Sequence, residues 1–150
     1  MKLVINSCYG GFGLSPKALK RYLELKSKQA YFYKQTKYSW QGNGIEFHRI
    51  DNIDDLDELF IDCTTEYQGE VLNDFPDNTI FPREDIPRND KHLVQVVEEL
   101  GAEANSKYSK LEVVEIENGR WYKIDEYDGY ESIEYRDLDD EWELAEDNDE

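Results

Sequence analysis

The most informative stretch of the sequence is residues 2–25, KLVINSCYGGFGLSPKALKRYLEL. Its first part, Lys2 to Cys8, opens with β-branched and apolar residues, which predicts a buried strand. A glycine-rich turn follows at Gly10 to Gly13. Ser15 is a favourable N-cap and Pro16 suits the first position of a helix. The stretch therefore predicts a strand, a tight loop and a helix in direct succession.

A β-hairpin is predicted next along the chain. Residues 30–40 form an aromatic and basic stretch whose alternation is typical of a strand, and residues 45–50 alternate well enough to be its partner. Gly42-Asn43-Gly44 between them is a strong turn sequence. Residues 61–89 contain three prolines and several polar clusters, so we expect long loops there with at most one or two short strands.

Apolar spacing predicts a short helix over residues 51–60 and a longer helix that begins after the N-cap Asp90. Gly101 marks either a break in this second helix or its end. Residues 111–116 alternate as a strand, and residues 121–135 predict two strands around the turn Asp128-Gly129.

Together these elements predict an α+β fold. We expect one domain over residues 1–136, because single domains usually have roughly 100 to 200 residues. It should contain two main helices and a mixed, mostly antiparallel sheet. The last 14 residues, 137–150, hold nine acidic residues and no basic one. We expect this acidic tail to be flexible beyond about Trp142.

The net charge of the chain is −18, from 17 Lys and Arg against 35 Asp and Glu. Residues 1–50 contribute +7 and residues 51–150 contribute −25. This balance argues against direct binding of nucleic acid or an anionic membrane, since both need cationic protein surfaces. The acidic half fits either a solvated surface or a mimic of nucleic acid that binds a basic protein.

Localisation is predicted from what the sequence lacks. No apolar run approaches the ~18 residues of a membrane span, and the opening residues 1–6 break too early for a signal peptide. The two cysteines, Cys8 and Cys63, are too few for a disulfide framework. We therefore expect a cytoplasmic protein with two thiols.

The principal candidate site is the loop between the first strand and the first helix. Free backbone N–H groups and the helix dipole favour an anion at such a place, and glycine lets the backbone approach a phosphate closely. Neither common phosphate-binding fingerprint is present. The alternative is a tight structural turn that requires positive φ. The predicted ligand-binding residues are Cys8, Tyr9, Gly10, Gly11, Phe12, Gly13 and Ser15.

Catalysis would rest on Cys8, whose thiol would face the start of a helix and have its pKa lowered there. His48 and a carboxylate would have to complete the set. The alternative is a small buried cysteine, which is more common. The sequence therefore leaves enzymatic activity open, and favours a protein that is not an enzyme and uses no cofactor.

Metal binding is not predicted. The possible zinc ligands lack the paired short spacings of structural zinc sites: Cys8, His48, Cys63 and His92. The acidic cluster after residue 50 lacks the glycine and the distant glutamate of an EF-hand, and is interpreted as the charged start of a helix: Asp51, Asp54, Asp55 and Asp57.

The first hairpin offers a second way to hold a nucleotide. Its lysines (Lys28, Lys34, Lys37) lie among aromatic residues on which a base could stack: Tyr31, Phe32, Tyr33, Tyr38 and Trp40. The alternative is that one face of this strand packs into the core and the other forms its rim.

Two stretches carry a resemblance to a known family: INSCYGGFGLS at residues 5–15 and IPRNDKHLVQVVEELGAEAN at residues 86–105. With residues 111–117 and 124–133, they resemble small phage-encoded proteins of unassigned function. That family usually has Thr-Asp-Pro before the second long helix. This chain has Asn89-Asp90-Lys91, which keeps the cap and lacks the proline. The resemblance implies a viral origin, a location in the host cytoplasm and an accessory role such as countering a bacterial defence.

These observations lead to one functional hypothesis and two alternatives. The first is a phage accessory protein that binds a host component, most concretely a phosphorylated nucleotide-like ligand at Gly10 to Ser15. The second is an acidic mimic of nucleic acid that inhibits a basic host protein. The third is an enzyme that depends on Cys8. The sequence does not indicate the oligomeric state.

Overall fold

The computed structural model describes residues 1–38, 40, 42, 44–53, 61–135 and 143–147. Within them the chain has two α-helices, short 3₁₀ turns at Arg83–Asp85 and Gly101–Ala104, and nine strands. The α+β prediction is confirmed. The helices are α1 (Pro16–Leu25) and α2 (Lys91–Leu100), and the strands are β1 (Lys2–Asn6), β2 (Tyr31–Lys37), β3 (Glu46–Ile50), β4 (Ile61–Thr64), β5 (Val71–Leu72), β6 (Leu111–Glu115), β7 (Trp121–Tyr127), β8 (Tyr130–Tyr135) and β9 (Glu143–Leu144).

The strands form three separate sheets in place of the one mixed sheet that we predicted. Their orders are β1-β6, β4-β2-β3-β5 and β8-β7-β9, and all strand pairings of the described residues are antiparallel. Both predicted hairpins, β2-β3 and β7-β8, are present. The strands between residues 61 and 89 are β4 and β5, which agrees with the prediction of long loops and two short strands.

Both helices begin where the capping residues predict. The Ser15 hydroxyl accepts a hydrogen bond from the N–H of Ala18, and Pro16 takes the first helical position. The Asp90 carboxylate accepts from the first turn of α2. Gly101 ends α2 with a φ of 57°, a conformation that glycine adopts at little cost.

Strand β1 separates two apolar clusters, because its side chains alternate between its two faces. Val4 packs with α1, α2 and strands β2 and β4. Leu3 and Ile5 pack on the other side, in a cluster with Ile116, Tyr122 and Ala145. Burial on both faces explains why β1 is apolar almost throughout.

Residues 143–147 of the acidic tail pair with the rest of the fold, while the flexibility of the tail stays a prediction. Strand β9 pairs with β7, and the Tyr122 hydroxyl donates to Glu143 at 3.1 Å. Ala145 exchanges backbone hydrogen bonds with Gly119 and Arg120, each at 2.9 Å, and its side chain is fully buried. Strand pairing, the hydrogen bond to Glu143 and the burial of Ala145 together hold the segment against β7.

Two predictions fall partly or wholly outside the described residues. These are most of the helix over residues 51–60, with Asp54, Asp55 and Asp57, and two parts of the tail, at 137–142 and 148–150. Among the described residues, no helix is long and apolar enough to cross a membrane.

Candidate functional site

The loop between β1 and α1 is packed on one side against residues 106–109. A Cβ atom at Gly10 would lie 1.9 Å from the carbonyl oxygen of Tyr108, and one at Gly13 would lie 2.8 Å from the Ser106 hydroxyl. Ser109 donates a hydrogen bond to the carbonyl of Gly13 at 2.8 Å. Glycine is therefore required at Gly10, where a Cβ would strike backbone, and is favoured at Gly13, where a Cβ would meet a side chain.

The start of helix α1 is covered by the chain itself. Ser15 donates through its hydroxyl to the carbonyl of Glu103 at 2.6 Å, and through its N–H to the carbonyl of Ala104 at 3.0 Å. Pro16 has no N–H to offer. Ser15 thus acts as a structural cap. The carbonyls of Glu103 and Ala104 occupy the position at the helix start where we expected an anion.

The loop also borders a cleft of about 440 Å³, which we call the glycine-loop cleft. Gly11 has a φ of 95°, and a Cβ there would touch nothing within 4 Å. Cys8, Tyr9 and Ser15 do not line the cleft. The lining residues are Gly10, Gly11, Phe12, Gly13, Leu14, Arg83, Glu84, Arg88, Ser106 and Tyr108.

Arg88 stands between the cleft and the interior. The carbon of its guanidinium lies 3.6 Å from the centroid of the Phe12 ring. The same group pairs with Glu131, whose side chain is almost completely buried, and donates to the carbonyl of Val4 at 3.4 Å. Glu131 thereby balances much of the charge of Arg88.

Arg83 supplies the second guanidinium of the cleft. One of its nitrogens donates to the carbonyl of Ile61 at 2.9 Å. Within the described part of the chain Arg83 makes no ion pair, and Glu84 is the one carboxylate lining the same cleft. An anion here would meet the positive charge of Arg83 first.

Asn6 connects the loop to the rest of the molecule and is fully buried. Its side-chain amide donates to the carbonyls of Cys8 and Gly129, both at 2.8 Å, and its side-chain oxygen accepts from the N–H of Lys110 at 2.8 Å. Its backbone N–H donates to Glu131 at 2.8 Å. A buried polar residue in this position fixes the loop between the β7–β8 turn and the start of β6.

The proposed nucleophile and base are held by different partners. The thiol of Cys8 donates to the carbonyl of Tyr108 at 2.9 Å. His48 lies on β3 in another sheet and contacts Glu46, whose pKa is lowered chiefly by that contact. Neither arrangement provides the hydrogen bond from thiol to imidazole that nucleophilic catalysis needs.

The remaining candidate metal ligands are also dispersed. Cys63 is buried, which raises the pKa of its thiol to about 12. Asp51 pairs with Arg49. Among the described residues, no three or more His, Cys, Asp or Glu side chains form a group that could hold a metal ion.

The aromatic residues of the first hairpin belong partly to the core. Phe32 and Tyr33 are buried, and Tyr33 meets the edge of Phe75 at 5.4 Å between ring centroids. Tyr38 and Trp40 stack on each other at 4.3 Å, with Trp40 largely exposed. The base-stacking hypothesis therefore loses Phe32 and Tyr33, while Tyr31, Tyr38 and Trp40 keep at least part of their surface in solvent.

Sequence reasoning did not identify Asn6, Arg83, Arg88 or Glu131 as parts of this region. Arg83 and Arg88 each follow a proline, but no spacing connects them with a loop some 70 residues earlier.

Protein-family models, curated proteins and solved structures were each compared with the chain, and none of them matches it.

Proposed function

We propose that the protein is a non-enzymatic binding protein that holds a phosphorylated, nucleotide-like ligand in the glycine-loop cleft. The observation that carries the proposal is the position of two guanidinium groups, Arg83 and Arg88, in one cleft with the loop Gly10 to Leu14. Sites for small ligands usually have volumes of roughly 300 to 1,000 Å³. The cleft of about 440 Å³ falls in that range.

The chemistry of the lining suits a phosphate group. Arginine recognises phosphate oxygens through several N–H donors arranged in one plane. Phe12 and Gly13 line the same cleft, and their backbone N–H groups have no acceptor among the described residues. The half-exposed ring of Tyr108 offers a face for a base, and stacking of this kind is worth about 1 to 3 kcal/mol.

The geometry favours binding over catalysis, because the thiol of Cys8 lies outside the cleft lining and His48 belongs to a different sheet. The resemblance to small phage-encoded proteins suggests where such a protein would act. In the host cytoplasm, a protein of this kind would sequester a nucleotide that the host uses in defence.

The proposal is tested by calorimetry and thermal shift with the full chain. The probes are ATP, ADP, a cyclic dinucleotide, inorganic phosphate and the unphosphorylated nucleoside adenosine. We expect at least one phosphorylated nucleotide to raise Tm, and adenosine to have no effect. If none of the phosphorylated probes stabilises the chain, the proposal is wrong.

Three variants locate the binding. Arg83→Gln removes a positive charge from the lining and should weaken binding, whereas Glu84→Gln removes a negative charge from the lining and should strengthen it. Arg21→Gln is the matched control, because Arg21 pairs with Glu99 on exposed helix surfaces away from the cleft. Opposite effects of Arg83→Gln and Glu84→Gln would be difficult to explain by a change in stability.

A further inference from the structure

The outer face of the β7–β8 hairpin carries a second surface, separate from the cleft. Tyr127 and Tyr130 are directly paired in the register, so their side chains lie on the same face. The ring of Tyr9, from the glycine loop, lies 5.2 Å from that of Tyr130. We call these three residues the tyrosine face.

The tyrosine face is unusually open to solvent. Tyr127 is 76% exposed and Tyr9 is 66% exposed, and Tyr130 is also exposed. Neighbouring aromatic side chains that stay in water are typical of interaction surfaces, where tyrosine combines an apolar ring with a polar hydroxyl. Exposure of single rings is ordinary, but here the rings of Tyr9 and Tyr130 are in contact and Tyr127 lies directly across the hairpin from Tyr130.

The charges around the tyrosine face are negative. Residues 121–135 contain five acids and one lysine. Glu131 is paired with Arg88, and Glu134 lies 3.8 Å from Lys123. In the described part of the chain, Asp125 and Asp128 have no cationic partner, and both are exposed. A partner on this face must therefore bring positive charge.

The hairpin itself shows how one kind of cation is held. The guanidinium carbon of Arg120 lies 4.0 Å from the centroid of the Tyr135 ring. Guanidinium groups stack on aromatic faces and pair with carboxylates at the same time, which the ammonium of lysine does less well. The tyrosine face offers both kinds of group side by side.

We infer that the tyrosine face docks an arginine-containing basic segment of a partner protein, with guanidinium groups over Tyr127 and Tyr130 and beside Asp125 and Asp128. Nucleic acid would be repelled by the same carboxylates. The acidic second half of the chain would then bind its basic partner at this surface, whether or not the glycine-loop cleft holds a ligand.

The test compares two peptides by fluorescence anisotropy with the full chain: oligoarginine, and oligolysine of equal length. Tyr127→Ser combined with Tyr130→Ser removes two rings and leaves the net charge unchanged, so diffuse attraction to the acidic protein stays constant. We expect about a tenfold loss of affinity for oligoarginine and a smaller loss for oligolysine. The single variant Tyr127→Ser repeats the test with the most exposed ring.

The matched control is Tyr31→Ser combined with Tyr67→Ser. These two rings also form a pair, with centroids 5.7 Å apart; Tyr31 lies on β2 and Tyr67 in the loop between β4 and β5. The control should leave oligoarginine affinity unchanged. Equal binding by wild type and the Tyr127/Tyr130 variant, or equal losses in variant and control, would overturn the inference. So would sedimentation showing a wild-type dimer that the variant abolishes, since the occupant would then be a second copy of this chain.

Discussion

The guanidinium carbon of Arg88 lies 3.6 Å from the centroid of the Phe12 ring, while its nitrogen pairs with the buried carboxylate of Glu131. One side chain thus joins the glycine loop to the β7–β8 hairpin. Asn6 contacts both of these parts as well, through its bonds to Cys8 and Gly129. The candidate cleft and the tyrosine face are therefore supported by one buried polar network.

Removal of the charge on Glu131 should destabilise this network. The Glu131 side chain is only 9% exposed, so Glu131→Gln leaves Arg88 without its charged partner at a site that water hardly reaches. We expect a loss of about 2 kcal/mol in the free energy of unfolding, measured by urea denaturation. Glu134→Gln on the same strand is the control and should change it by less than about 0.5 kcal/mol, because its contact with Lys123 is exposed. Equal losses would contradict the role given to Glu131.

Two glycines of one loop should respond differently to alanine. Neither Gly10 nor Gly13 has a positive φ, so close contact alone decides the outcome. Gly10→Ala would force a Cβ against the backbone oxygen of Tyr108 and should cost about 2 to 3 kcal/mol. Gly13→Ala meets mainly the Ser106 side chain, which can rotate, and should cost less than about 1 kcal/mol. Similar unfolding curves for the two variants would contradict the packing described for Gly10.

The tail segment should contribute to stability through Ala145. Ala145→Glu places a carboxylate in a fully buried position and should lower the free energy of unfolding by about 2 to 4 kcal/mol. Glu146→Ala changes the neighbouring exposed position and should have an effect within about 0.5 kcal/mol. If Ala145→Glu unfolds at the same urea concentration as the wild type, strand β9 does not hold the tail as described.

Stability at acidic pH should depend on Asp90. Partial burial raises the pKa of this carboxyl, but hydrogen bonds from Leu93, Tyr22 and His92 outweigh burial and hold the pKa below its usual value. A lowered folded-state pKa gives stability that is present above the unfolded-state pKa of about 4 and is lost as pH falls through the folded value.

Asp90→Asn keeps an oxygen that can cap α2 but cannot titrate. Its Tm should therefore fall less steeply than that of the wild type below about pH 4. Asp90→Ala should lose about 1 kcal/mol at neutral pH, where the wild-type cap is charged. Parallel Tm profiles for wild type and Asp90→Asn between neutral and strongly acidic pH would show that Asp90 does not carry this dependence.

Local features of the fold could be predicted well. Ser15 and Asp90 cap helices through their own nearest turns, and the turn at Asp128-Gly129 brings adjacent strands together. Such interactions span a few residues, so a short window of sequence contains all their partners. The same holds for the glycine loop, whose place between β1 and α1 follows from the order of the residues.

The sequence alone determined the α+β class, the helix starts, the hairpins and the position of the glycine loop, because local periodicity and capping depend on near neighbours. Tertiary packing decided what surrounds that loop, because it brings Tyr108 against Gly10 and places Arg83 and Arg88 in the cleft that the loop borders. It also decided that Ala145 is buried. The contacts of the loop join residues some 70 or more positions apart, and the hydrogen bonds of Ala145 with Gly119 and Arg120 span about 25 positions, so these partners are set by how the sheets and helices pack.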